Sequence, residues 1–535
     1  MTEKNNASKL EKLQENFTTE KIGRREFMAG AAALGVSLAA ANAFLAMPAQ
    51  AAPKKGGRIR VGINDGAIAD SLDPATTSSM YMILKNHTIR NYLAEISPEN
   101  TLVPELATSW ESSPDAKTWH FKLRSGVEFH NGKTMDTEDV LNSINYHRGE
   151  NSTSAAKALL EAVTEIKADG PNAFNVTLSA GNADFPYLFS DYHLNILPSD
   201  GAGGVDWQSG LGTGAYVLKK FEPGVKSFMT RNPNYWKEDR ANFDEAEFLL
   251  IADANARQTA LQTGSVDIID QPDLKTVDRS AASEGIELDN VTGWAHTSMP
   301  MHMDVAPFDN NHVRLALKYA IDREDVVKRV FKGYGTVGND HPISPVIQYY
   351  ADLEQRTYDL DKAKYHLKQA GLDSLTVSLS TSEAGGAGNN DTAILFKEQA
   401  AKAGINIEVV FEPADGYWSN VWNKKPFVMV NWGGRPTADV MFTTAYAEGA
   451  PWNDSHFSQA RFNELLVAAR GELDTAKRAE MYREMQVILR DEGSAIIPAF
   501  KNLLYLRNSK VQHGANLSAN WQFDGARAVE RWWFA

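Results

Sequence analysis

Apolar and polar positions alternate most clearly at Trp119, Phe121 and Leu123 against His120 and Lys122, the period of a strand buried on one face. Ser125-Gly126 interrupts that strand, and Asn131-Gly132 is a hairpin signal because both residues tolerate positive φ. Asp136 stands where it can cap a helix carrying Glu138 and Asp139 in its first turn. Pro104–Val140 therefore predicts a strand–turn–strand–helix unit with nothing chemically reactive in it. Upstream, Ile59, Val61 and Ile63 alternate as a strand, Asp70–Pro74 reads as a turn, and Met80–Ala94 predicts a helix. Downstream, Phe174–Leu178 predicts a strand, and Val313, Leu317, Ala320 and Ile321 fall on one helix face. Asp359–Gly371 reads as a capped helix. Leu375–Leu379, Ala393–Ala403 and Ile405–Val410 then give a strand–helix–strand pattern, the sign of a partly parallel sheet. Phe462–Arg470 and Lys477–Arg490 are amphipathic helices.

Length and composition narrow the classes. A chain of 535 residues with 43% hydrophobic content buries a large core in more than one structural unit. A formal charge of −14 argues against nucleic acid, whose phosphates need a basic surface. The chain has no cysteine, which removes disulfides, thiolate metal sites, cysteine nucleophiles and a lipid-bearing cysteine.

The N-terminus carries an address. Residues 1–21 are polar and mixed in charge, Arg24-Arg25-Glu26-Phe27-Met28 follows, and the Ala- and Leu-rich run Ala29–Met47 precedes Ala49-Gln50-Ala51. This is the order of a signal peptide, expected over 1–51 with cleavage after Ala51. The arginine pair resembles a twin-arginine export signal, with Gly23 where Ser or Thr is usual. A retained membrane anchor is the alternative, but the run is only weakly hydrophobic. The mature chain is expected in a Gram-negative periplasm.

The long segment 104–140 also has an identity. Leu106, Trp110, Ser113, Asp115, Trp119, Phe121, Leu123-Arg124, Gly126-Val127, Phe129-His130, Gly132 and Asp139-Val140 resemble the signature of the extracytoplasmic solute-binding proteins, family 5, of dipeptide, oligopeptide and nickel ABC importers. Gly212-Thr213-Gly214-Ala215-Tyr216, Arg231–Trp236, Leu261–Asp267, Pro307–Arg323 and Ile497-Pro498 extend the likeness over nearly the whole mature chain. The Gly-x-Gly of 212–214 lacks the lysine of a phosphate loop and reads as a tight turn. The resemblance implies an α/β, two-lobed periplasmic-binding-protein fold (class II, large type). Lobe I would take 57–96, 211–293 and 505–535, with 97–210 inserted as a subdomain, and lobe II would take 294–504. Crossings near 294 and 504 would form a hinge. A peptide-like or other small organic solute, including an opine or sugar acid, would be captured between the lobes and handed to ABC permease transmembrane subunits. Peptide transport is the implied process, by a monomer with no catalysis, no cofactor, no metal and no nucleic acid partner.

Two other functions are compatible with a secreted chain of this size. A secreted hydrolase finds no Gly-x-Ser-x-Gly or His-Glu-x-x-His in the mature region. A metal-chelate binder on the same scaffold would use His296 and His302 with Met299, Met301 and Met303. Alternation at a spacing of two fits a strand face better. The resemblance places Trp294, Tyr417, Trp418, Trp432 and Trp452 in segments that face the cleft, where aromatic faces exclude water and grip solutes. Trp432 with Gly433 and Gly434 leads, as a strand end followed by a glycine loop. In the peptide-binding branches an Asp after this strand end pairs with the ligand ammonium, whereas here the aligned residue is Arg435. The loop Ser380–Asn390, where the dipeptide branch carries an arginine for the ligand carboxylate, has no Arg or Lys. The resemblance thus points to an anionic ligand group at Arg435. Two alternatives stand beside it: an Arg435–Asp439 salt bridge, or a shifted register that makes Asp439 the ammonium anchor.

Replacing Arg24 and Arg25 together by Lys is expected to leave unprocessed precursor in the cytoplasm, seen by immunoblot of fractionated cells. Normal periplasmic accumulation of the processed double variant would rule out the twin-arginine route.

Overall fold

The computed structural model describes residues 53–535, so the signal peptide expected over 1–51 lies outside the described residues. The largest sheet has seven strands in the order Ile286–Val291, Leu503–Asn508, Ile268–Asp270, Arg58–Ile63, Glu245–Leu250, Lys226–Arg231 and Tyr216–Glu222. Arg58–Ile63 runs parallel to both of its neighbours, and the remaining pairs are antiparallel. Ile59, Val61 and Ile63 turn into a core that includes Phe248, Tyr505 and Trp532. A separate antiparallel sheet of Ala107–Ser112, Thr118–Leu123, Ala173–Leu178 and Val163–Ala168 lies within 97–210. Residues 294–504 hold a third sheet, in the order Gly335–Val337, Ala495–Lys501, His296–Pro300 and Val430–Trp432. They also hold the parallel pair Leu375–Thr381 and Ile405–Phe411, joined by helix Asn389–Ala401.

The signature segment is a packing unit. Trp119, Phe121 and Leu123 are buried, and Phe121 stacks on Phe174 at 5.0 Å and meets Phe189 edge-on at 5.1 Å. Asp136 caps helix Thr137–Tyr146 in a reciprocal box with Asp139, satisfying two backbone N–H groups that the first turn leaves open. The Asn131-Gly132 turn departs from the expectation. Gly132 has φ 84°, but Asn131 is not in the left-handed region, and its Oδ1 instead accepts the Lys133 N–H at 3.1 Å. A side-chain turn replaces a tight hairpin there.

Two further departures share one cause. The helix predicted over Met80–Ala94 ends at Ile89, and Ala94–Ile96 is a strand. Gly214 N–H donates to the Ile89 carbonyl at 3.1 Å, and a Cβ on Gly214 would stand 2.3 Å from the Ile89 carbonyl carbon. Gly212 and Gly214 have no positive φ, so they serve close approach of two backbones rather than a left-handed turn. His130 of the signature closes this joint: its N–H donates to Gly212 O (2.9 Å) and its Nε2 lies 3.1 Å from Gly214 O.

The C-terminal residues are tied down by charge. Arg527 reaches Glu105 (2.7 Å) and Glu530 (2.8 Å), Lys237 reaches Glu95 (2.6 Å), Glu105 and Glu530 (2.9 Å each), and Arg531 reaches Glu95 (2.7 Å) and Asp524 (2.8 Å). Burial alone would raise the Glu95 pKa, but the fields of Arg527, Lys237 and Arg531 overcome it and hold the carboxyl well below its usual range. Glu530 is depressed in the same way by Lys237 and Arg527. The folded-state values lie below the unfolded ones, so this stabilisation is complete above about pH 4.3 and is lost as pH falls further.

Arg527→Met leaves three buried carboxylates, Glu95, Glu105 and Glu530, to share Lys237 and Arg531, and is expected to cost about 3–5 kcal/mol. The expected readout is a lower urea midpoint at unchanged slope. A variant as stable as the parent would show that the cluster contributes nothing net.

Candidate ligand-binding cleft

The chain passes from the seven-stranded sheet into the third sheet after Val291 and returns after Lys501. The two passages lie side by side: Lys501 N–H donates to Ala295 O (2.8 Å), and Asn502 Nδ2 to Asn290 Oδ1 (2.7 Å). Several of the residues singled out from the sequence gather beside them.

Trp432 ends strand Val430–Trp432 and lies opposite His296 in register. Its Nε1 donates to Asp454 Oδ2 at 3.0 Å, and Trp422 Nε1 donates to the same oxygen at 2.9 Å. Trp422 meets Trp432, Trp452 and Trp418 edge to face at 6.4, 6.0 and 5.6 Å, and Trp452 meets Trp432 at 6.1 Å. Trp418 and Trp452 remain 48% and 49% exposed, so this aromatic wall keeps one open side. Burial pushes Asp454 up to about 6, against the two indole N–H groups that favour its charged form.

Past Trp432 the backbone is pressed against Trp294: a Cβ on Gly434 would stand 2.1 Å from that ring, so no larger residue fits. Arg435 then folds back. Its Nη1 donates to Gly433 O and Gly434 O at 3.1 Å each, and its guanidinium carbon lies 5.8 Å from the centre of the Trp432 ring. Among the described residues no carboxylate forms an ion pair with Arg435. Burial lowers its pKa, and Tyr192 works in the opposite sense. Tyr192, itself pushed up to about 12 by burial and Asp191, belongs to the 97–210 segment and meets Trp521 edge-on at 5.1 Å. Arg435 and Tyr192 thus sense each other from segments far apart in the chain.

The expected alternatives for Asp439 resolve differently. It sits in the first turn of helix Ala438–Ala445, capped by Thr437, and pairs with Arg470 Nε at 3.1 and 3.2 Å. The Arg435–Asp439 bridge is therefore not formed, because Arg470 already occupies the carboxylate. Burial raises Asp439 to about 6, with Arg470 opposing and nearby Asp184 adding to the rise. Asp184 in turn pairs with Arg478 at 2.8 Å, both side chains buried, across segments 97–210 and 294–504. Tyr417 is also a correction. It is fully buried in the core of the second lobe, its hydroxyl donating to Met429 O at 2.7 Å, so only its neighbour Trp418 reaches the surface.

Three further residues, Lys501, His296 and His341, bear on this part of the structure, and of them His296 feels the field of Arg435. Lys501 Nζ donates to Ala387 O (2.7 Å), which brings a cation into the loop 380–390 that has none of its own; burial lowers it to about 8. His296, read from the sequence only as a metal ligand, is fully buried and meets Phe500 edge-on at 5.6 Å. Burial first, and then the fields of Arg435, His341 and Lys501, bring it to about 3. His341 is buried with neither ring nitrogen hydrogen-bonded. A cation one residue before a chain crossing was the one available signal for Lys501, and nothing local marks the two histidines.

His296 and His302 do not form the metal site considered from the sequence, since six extended residues separate them by on the order of 20 Å. Among the described residues the triad Glu95, Glu105 and Glu530 has ligand-like spacing, but Lys237, Arg527 and Arg531 already neutralise it. No helix of the described residues is long and apolar enough to cross a membrane.

The two bodies of sheet, the paired crossings and the cationic, tryptophan-walled face define a two-lobed solute-binding protein. A profile of the bacterial extracellular solute-binding proteins, family 5 (middle region), matches residues 101–454, and the chain belongs to that family. It is the periplasmic solute-binding component of an ABC importer. The dipeptide-binding protein of Escherichia coli K12 is 26% identical over 445 residues, covering 76% of this chain and 83% of the relative. The structure of HbpA2 from Haemophilus parasuis superposes with a TM-score of 0.78 at 21% identity, covering 88% of this chain and 99% of the other. The binding protein AgaA in complex with agropinic acid, from A. tumefaciens R10, superposes at 0.70 with 22% identity, covering 90% and 99%. The relatives are binding proteins of ABC transporters and not enzymes.

Asp454 predicts a pH response. Its folded-state pKa of about 6 lies above the unfolded value, so its contribution to stability grows as pH falls through 6 and is lost as pH rises through it. Tryptophan emission is expected to titrate with a midpoint near 6, and Asp454→Asn is expected to abolish that step. An unchanged step in the variant would assign it elsewhere.

Proposed function

We propose that this protein captures a small organic solute bearing a carboxylate or similar anionic group, and that Arg435 grips that group. The observation that carries the reading is the guanidinium itself. It is held by two backbone carbonyls through Nη1, with no carboxylate partner among the described residues and with the buried His296 within reach of its field. A guanidinium in that state can give two parallel hydrogen bonds to a carboxylate. A ligand ammonium at the same place would face like charge across a poorly hydrated gap. Trp294, Trp432 and Trp452 supply apolar walls for the rest of the solute, and Tyr192 and Trp521 of the other lobe close over it. The neighbour of the same fold that holds agropinic acid supports the reading, since the scaffold there accepts an acidic solute.

Lobe I comprises 57–96, 211–293 and 505–535, with 97–210 inserted, and lobe II comprises 294–504; closure turns about the crossings near 294 and 504. The protein acts as a monomer and catalyses nothing, and residues 1–51 direct its export. A peptide reading through Asp439 is the less favoured one, because Arg470 already satisfies that carboxylate.

The test starts from the solute released on denaturing freshly purified protein, identified by mass spectrometry and titrated back by calorimetry. Arg435→Ala is expected to weaken binding by about 1.5–3 kcal/mol, roughly 10- to 150-fold in Kd, while Asp439→Asn stays within a few-fold of the parent. Full affinity in Arg435→Ala together with lost affinity in a folded Asp439→Asn would overturn the anionic-ligand reading.

A further inference from the structure

Away from the cleft, the far end of the strand that begins at His296 meets the loop 452–458. The backbone fixes the meeting: Met303 N–H donates to Ser455 O (3.0 Å), His302 N–H to Pro426 O (2.8 Å), and Ser458 N–H to Met303 Sδ (3.3 Å). Three side chains converge there. The rings of His302 and His456 stack at 3.7 Å between centroids and 17° between planes, and His456 Nδ1 lies 2.8 Å from Asp304 Oδ1. Each of the three offers a ligand atom, and all three atoms lie within 4.8 Å of one another.

We propose that His302, Asp304 and His456 form a binding site for a divalent transition-metal ion of the zinc, nickel or copper kind. Two imidazoles and one carboxylate are a borderline-soft donor set, which suits these ions and not calcium or magnesium. The second observation is the state of His302. It is 5% exposed, and its Nε2 is buried with no hydrogen-bond partner, an arrangement that protein interiors avoid unless something else uses the ring. The two partners face solvent in part: His456 and Asp304 keep side-chain exposures of 35% and 62%. Coordination at roughly 2.0–2.2 Å requires the ligand atoms to close on the ion and the His456 ring to tilt out of the stack, so that its lone pair points at the metal. His302 is the fixed point and the exposed pair supplies the adjustment. Water completes the shell on the open side.

The position gives the site a built-in reporter. Trp452, Asp454 and His456 alternate along one short loop. Trp452 packs on Trp432, Asp454 binds two indoles of the aromatic wall, and His456 belongs to the proposed metal site. An ion that pulls on His456 therefore changes the surroundings of the tryptophans.

Untagged mature protein is titrated with Zn2+ by calorimetry, and with Cu2+ while tryptophan emission is followed. One ion per chain is expected, with quenching of emission by Cu2+. Asp304→Asn and His456→Gln lie on the surface and preserve the fold by circular dichroism. The double variant is expected to bind Zn2+ about tenfold or more weakly, and the Cu2+ quench is lost. His366→Gln, which disrupts the His312–His366 pair at 2.9 Å, and His341→Gln in the cleft are expected to leave Zn2+ binding unchanged. The proposal is overturned if the parent shows no stoichiometric Zn2+ uptake, if the double variant binds as tightly as the parent, or if either control removes the binding.

Discussion

Three buried carboxylates, Glu95, Glu105 and Glu530, stand against Lys237, Arg527 and Arg531, and much of the first lobe depends on that balance. The charges come from parts of the chain more than four hundred residues apart, so the cluster ties the C-terminal residues to the segment around Glu95 and Glu105. Low local polarity makes each pair strong and makes any missing member costly. Glu105 opens the signature segment, and His130 within the same segment fastens it to Gly212 and Gly214. The segment that identifies the family in sequence is thus a structural joint.

The second lobe follows a different rule. Its aromatic wall depends on one carboxylate, Asp454, shared by two indole N–H groups that would otherwise be buried without an acceptor. Gly434 lets the backbone press against Trp294, and that contact aims Arg435 along the wall. The arginine is left with two carbonyls and, among the described residues, no counter-ion, while Asp439, four residues on, is committed to Arg470. The ion pair Asp184–Arg478 and the bond from Ala183 N–H to Arg470 O (2.7 Å) join the 97–210 segment to the same helices. Charges around Asp439 therefore tie segment 97–210 to these helices, and Arg435 takes no part in that network.

The loop 452–458 links these features in one short stretch of chain. Alternate residues contribute a ring to the wall, an acceptor to its indoles and an imidazole to the outer cluster. Since these groups share one backbone, a change at the outer cluster reaches the wall without passing through the cleft.

The sequence by itself determined what local periodicity and fixed spacing encode. The Trp119–Leu123 strand, the Asp136 cap, the parallel pair 375–381 and 405–411, and the family likeness all rest on neighbours within a few turns of chain. It also marked Trp432, the two glycines and the change of sign at Arg435, because those lie in one run. Tertiary structure decided the rest. The helix from Met80 stops at Ile89 because glycines more than a hundred residues on take its carbonyl. Tyr417 is core because Met429 lies over its hydroxyl. Asp439 is claimed by Arg470 and not Arg435, since an ion pair goes to whichever cation the fold brings within reach. Tyr192 and His296 meet the field of Arg435, and Lys501 and His341 that of His296, from separate stretches. No pattern along the chain announces such a meeting, because their shared property is proximity in space.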